Sequence, residues 1–152
     1  NNEELKALGR IHTYDQFLKT YELARNAGFE NINIDLMSAI PDQTYEGWIH
    51  NLRTVAGLDP EHISAYSLII EEGTPFASRT LNLPDEDAEY NMYEATAQIL
   101  GEYGFEQYEI SNYAKKGREC ITWAIGSDRI IWDLAWELPL FMERNVLPIH
   151  RI

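Results

Sequence analysis

Asn33 and Asp35 are the residues from which chemistry can first be read. They lie in the stretch NINIDLMSAIPDQT (31–44), where Ile32, Ile34 and Leu36 alternate with Asn33, Asp35 and Met37. Period-two alternation makes a strand with one apolar face and one face carrying an amide and a carboxylate. Two such groups on one face can bind a polar ligand; on a surface strand they simply meet water. The flanking patterns are helical, and a strand between helices belongs to a βαβ unit, usually parallel and buried. The Ile face then packs on helices. Asn33 and Asp35 point into a barrel lumen or cleft, where an unpaired carboxylate is costly.

The elements that position this strand follow in order. Residues 1–12 turn amphipathic around Leu5 and Leu8. Thr13 and Gln16 make a capping box for a helix with Tyr14, Phe17, Leu18, Tyr21 and Ala24 on one face, and Gly28 ends it. After the strand, Thr44 caps a second helix with an inner stripe of Tyr45, Trp48, Ile49, Leu52 and Val55. A second strand is expected over 62–70 and a breaker-rich loop over 71–84. Asp85 then caps a third helix, with Glu86, Asp87 and Glu89 at the positive end of its dipole. A third strand is expected over 105–110. Strand starts roughly 30 to 45 residues apart match βα units, hence a parallel sheet with right-handed crossovers. Three strands cannot close an eight-stranded barrel. The chain is therefore a piece of a larger barrel or a small doubly wound domain, and the polar lumen residues favour the barrel.

Composition bounds the function. The 152 residues are 45% hydrophobic and 24% charged, a globular balance. A formal charge of −13 argues against nucleic acid, whose phosphates it repels. No apolar run reaches bilayer-spanning length, and no signal peptide is expected at the start. Cys120 alone excludes an internal disulfide and a four-cysteine metal site. A reducing, cytoplasmic setting is the default.

Five blocks, LGRIHT (8–13), ARNAGFENINIDLMSAIPDQT (24–44), PEHISAYSLIIEEGTPF (60–76), LPDED (83–87) and YEISNYAKKGREC (108–120), carry a resemblance. In this order and spacing the chain resembles the oxygen-independent coproporphyrinogen III oxidase-like proteins, in particular their radical SAM heme chaperone branch. One departure is Asp42, where the family usually has Gly in a PGQT loop. The resemblance implies an α/β fold, the C-terminal part of a partial (β/α)6 radical SAM barrel with parallel strands. It implies S-adenosylmethionine, a [4Fe–4S] cluster, and heme or another tetrapyrrole as ligand in the intact protein. The family's cluster is held by a CxxxCxxC loop near the N-terminus, so the cluster is not expected on this chain. Carried over by position, Arg10 and Asp35 match residues that contact S-adenosylmethionine, and Ile69 matches a further cofactor contact. A guanidinium can clamp the ligand's carboxylate bidentately, and a carboxylate can accept from its hydroxyl and ammonium donors. Arg10 can equally be a surface arginine near a helix end. His12 reads as a capping or surface group. Tyr66, Asn112 and Tyr113 line the lumen or pack in the core.

After Cys120 the resemblance stops, and residues 121–152 contain three of the four tryptophans. A back-translation with permitted codons from Ile121 onward reads NMGYWERPNYLGLGMGAASFYG in a shifted frame, which looks like the family's continuation. The expected organisation is therefore the second half of a barrel over 1–120 and a frameshifted tail over 121–152. The alternative is a small non-enzymatic α/β interaction domain. Either way, open sheet edges invite pairing into oligomers or aggregates.

Overall fold

The computed structural model describes residues 1–74, 76–120 and 132–133. Short α1 (Asn2–Ala7) and longer α2 (Tyr14–Asn26) lead into β1 (Ile32–Ser38), α3 (Tyr45–Ala56), β2 (His62–Ser67) and α4 (Glu86–Glu102). A hairpin of β3 (Phe105–Gln107) and β4 (Asn112–Lys115) follows, and β5 (Trp132–Asp133) closes the order. The helix starts follow from local chemistry. Thr13 and Gln16 exchange both bonds of a capping box, and Thr44 and Asp85 accept from Gly47 N–H and Ala88 N–H. Each satisfies an amide that the first helical turn leaves without a partner.

The sheet order is β3-β4-β2-β1-β5. β1 and β2 pair in parallel, with Asn33 opposite His62, Asp35 opposite Ser64 and Met37 opposite Tyr66. This register puts like alternation on like face. Ile32, Ile34 and Ile63 enter a core with Trp48, Leu52, Met92 and Leu100 from the helices. The expected helix stripes are buried where they face this core; Tyr45, Tyr93 and Tyr103 at their margins are exposed.

Two strand expectations are corrected. The second strand ends at Ser67, so Ile69 lies in the following loop, 79% exposed. The third strand is not one parallel strand over 105–110. It breaks after Gln107, turns, and returns as β4, antiparallel to both β3 and β2. Residues 108–111 supply the turn, in which Tyr108 N–H bonds the Asn112 carbonyl and Asn112 N–H the Glu109 carbonyl. A hairpin needs only a short connection, whereas a parallel return needs a crossover of a dozen residues or more. The sheet is thus mixed. Of the expectation for residues 121–152, all but 132–133 lies outside the described residues; β5 pairs in parallel with β1 at Ile32 and Asn33.

The loop after β1 carries Ala39 at φ 54° and Asp42 at φ 61°. Both are left-handed, a region that costs L-residues energy and that Gly enters freely. This gives a physical reason for Gly at the position that Asp42 occupies. Asp42 is held there by Asn82, whose Nδ2 donates to Asp42 Oδ1 at 2.8 Å and whose carbonyl accepts from Asp42 N–H at 2.9 Å.

Candidate functional site: the polar face of β1 and β2

The polar face begins with Asn33, 5% exposed beneath the sheet's polar side. Its Nδ2 donates to Asp35 Oδ1 at 2.8 Å. This bond orients the amide, because the reverse orientation would set oxygen against carboxylate oxygen. Asn33 Oδ1 therefore faces His62 Nδ1 at 2.6 Å and accepts from Ser64 Oγ at 3.2 Å. On the other side of the imidazole, His62 Nε2 lies 2.7 Å from the Tyr108 hydroxyl. The two rings meet edge to face at 5.6 Å. Tyr108 also accepts from Cys120 N–H at 3.1 Å. Burial pushes the Tyr108 phenol up from its ordinary value, against the lowering effect of that amide, so it keeps its proton at neutral pH.

Asp35 is half-buried and lines a cavity of about 310 Å³. Arg10, His12, Met37, Tyr66 and Leu8 line it too. Arg10 comes from the loop between α1 and α2, where its N–H bonds the Leu5 carbonyl at 2.8 Å. Burial pulls its pKa down to about 10, with Tyr66 acting the other way. The guanidinium remains charged at neutral pH. His12 is pushed down by burial first and by Arg10 second, which favours the neutral imidazole.

The sequence-derived candidates thus divide. Arg10 and Asp35 share one cavity, together with Tyr66; Ile69 is not among its lining residues. His12, read as a capping or surface group, stands in the cavity wall instead. Tyr113 belongs to the core, 1% exposed. Asn112 pairs with Ser64 at the hairpin edge of the polar face. His62 and Tyr108 were missed as members of this network. The alternation His62, Ser64, Tyr66 against Ile63, Ala65 in HISAYS held the signal for His62. Tyr108 had no local signal, since it reaches His62 from the hairpin.

Among the described residues no group of three or more His, Cys, Asp or Glu could hold a metal ion. No helix among them is long and apolar enough to cross a membrane. No protein-family model matches the chain. Curated proteins do. The chain is 42% identical over 120 residues to the heme chaperone HemW of Haemophilus influenzae, covering 79% of this chain and 31% of that protein. It is equally identical to the Escherichia coli HemW, of which it covers 32%. This chain is a homologue of the HemW heme chaperones over that part of their length. A mouse mitochondrial radical S-adenosyl methionine domain-containing protein is 35% identical over 121 residues. The E. coli coproporphyrinogen III oxidase HemN, described as a radical SAM enzyme, superposes with a TM-score of 0.68 at 24% identity. The match covers 76% of this chain and 27% of HemN. That likeness shows the fold alone, part of a TIM-type barrel. The chain spans about a third of the length of the HemW proteins it matches.

Proposed function

We propose that residues 1–120 form the second half of a radical SAM barrel of the heme chaperone type, and that the polar face of β1 and β2 holds S-adenosylmethionine. The observation that supports this is the shared cavity of Arg10 and Asp35. The donor set suits the ligand: a charged guanidinium for its carboxylate, and a half-buried carboxylate for its hydroxyls or ammonium. Arg10 clamps, and Asp35 accepts and orients. Ile69, in the loop after β2, lies outside the lining of this cavity. In the intact barrel a [4Fe–4S] cluster and the bound cofactor supply one-electron chemistry, while the chain supplies position and charge. One cysteine cannot satisfy a cluster that takes three or four thiolates, so the cluster does not fit on this chain. Heme or another tetrapyrrole is the ligand of the intact protein, in a cytoplasmic setting. Residues 121–152 are a frameshifted tail; the coding DNA tests this, and an uninterrupted frame with no family motif beside it would end the idea.

The binding test uses a chimaera in which residues 1–120 replace the matching third of E. coli HemW. Equilibrium dialysis with S-adenosylmethionine should show binding that Arg10→Ala and Asp35→Asn each weaken about tenfold or more, as expected for one charge-assisted contact. Unchanged affinity in both variants would refute the assignment.

A further inference from the structure

The bonds on the polar face run in one direction. Asn33 Nδ2–H points to Asp35, which leaves Asn33 Oδ1 as acceptor toward His62 Nδ1. His62 Nδ1 must therefore carry a proton. His62 is 2% exposed, so its ring nitrogens take protein partners rather than water. In the Nδ1–H tautomer of the neutral ring Nε2 is the acceptor, and Tyr108 O–H donates to it. Tyr108 oxygen in turn accepts from the Cys120 amide. Each donor in the series polarises the next, and all end on Asp35.

We propose that His62 is a positioning residue: through Asn33, and backed by Tyr108, it holds the Asp35 carboxylate in the orientation that receives the cofactor's polar donors. This rests on the reading of the site given above, but the chain itself does not need ligand to display it. The bond from Asn33 restrains the Asp35 side-chain torsions before ligand arrives, which lowers the entropic cost of binding. With it, Asp35 Oδ1 is committed to Asn33 at the wall of the cavity. Ser64 fills the second lone pair of Asn33 Oδ1 and keeps the amide from turning.

The test is long-range ¹H–¹⁵N and carboxyl ¹³C NMR on the 152-residue chain. His62 should be neutral with its proton on Nδ1, favoured by about tenfold or more over the Nε2–H form, the value of two net hydrogen bonds. Tyr108→Phe keeps the ring and removes the donor. It should shift both the His62 Nε2 and the Asp35 carboxyl resonances. Asn33→Ala should shift Asp35 further, and adding Tyr108→Phe to Asn33→Ala should move Asp35 no more. A proton on Nε2, or an Asp35 resonance unmoved by Tyr108→Phe, would overturn the proposal, and Tyr108→Phe alone decides it should Asn33→Ala fail to fold. These signals are read without cofactor, so failure here and failure of the dialysis experiment are separate results.

Discussion

The indole Nε1–H of Trp48 donates to the hydroxyl of Thr96 at 3.0 Å, inside the contact between α3 and α4. The Met92 carbonyl is a second acceptor for the same indole at 3.1 Å, and Thr96 Oγ1 itself donates to that carbonyl at 2.7 Å. Trp48 is 1% exposed and Thr96 3% exposed, so neither group can turn to water. Thr96→Val should cost about 1 kcal/mol, since the indole keeps Met92 as acceptor. Trp48→Phe should cost about 2 kcal/mol or more, because it opens a cavity as well. Equilibrium urea unfolding measures both.

Tyr113 has the opposite problem. Its hydroxyl is buried with no hydrogen-bond partner among the described residues. Burial pushes its pKa up to about 12, with Tyr93 and Glu94 adding to the effect. The folded value lies above the unfolded one near 10, so the unfolded chain gives up its proton first as pH rises. Stability should be unaffected by this group below pH 10 and fall between pH 10 and about 12. Tyr113→Phe should remove that slope and leave stability at pH 7 unchanged or raised by up to about 1 kcal/mol. Denaturant midpoints of the two proteins across this pH range provide the check.

At the opposite end of the strands from the cavity, Glu61 joins three elements. Its Oε2 accepts from Ile32 N–H at 3.0 Å and pairs with Arg25 Nη1 at 2.9 Å. Arg25 also donates to the Tyr21 hydroxyl, which donates to the Leu58 carbonyl at 2.9 Å. Glu61→Ala should cost about 2 kcal/mol, more than an exposed ion pair, because the Ile32 amide loses its acceptor. Glu61→Gln, which keeps an acceptor oxygen, should cost less. Thermal unfolding ranks the two.

Ala39 offers a stabilising change. It is 6% exposed and left-handed, so Ala39→Gly should relieve about 1 kcal/mol of backbone strain, less what Gly loses in unfolded-state entropy. At Asp42 the same change also removes the bond from Asn82, so Asp42→Gly should gain less than Ala39→Gly. Parallel urea titrations of the two variants test the ranking.

By itself the 152-residue chain should bind S-adenosylmethionine too weakly for calorimetry in the low micromolar range, because half a site lacks preorganisation. Saturable heat at those concentrations would contradict this.

Much of this arrangement was legible in the residues. Thr13, Thr44 and Asp85 announce their helices because capping is local chemistry. The alternation around Asp35 announces a strand with one polar face because side-chain period is local too. The resemblance singled out Arg10 and Asp35, which line one cavity. What escaped depends on distance along the chain. Gln107 and Asn112 belong to two antiparallel strands rather than one parallel strand, and only the turn between them decides it. Ile69 follows a run of β-formers, yet pairing ends at Ser67. The partnership of His62 with Tyr108 joins residues separated by 46 positions, beyond the reach of any periodicity.

That separation also orders events during synthesis. Synthesis runs from the N-terminus, so β1 and β2 are made before the hairpin. β1 and β2 can pair as soon as Ser67 is clear, but the underside of their polar face stays hydrated until Tyr108 arrives on the hairpin. The hairpin is thus a stopper fitted after both strands, and a nascent chain halted before it would hold the right strands around a wet, unfinished floor.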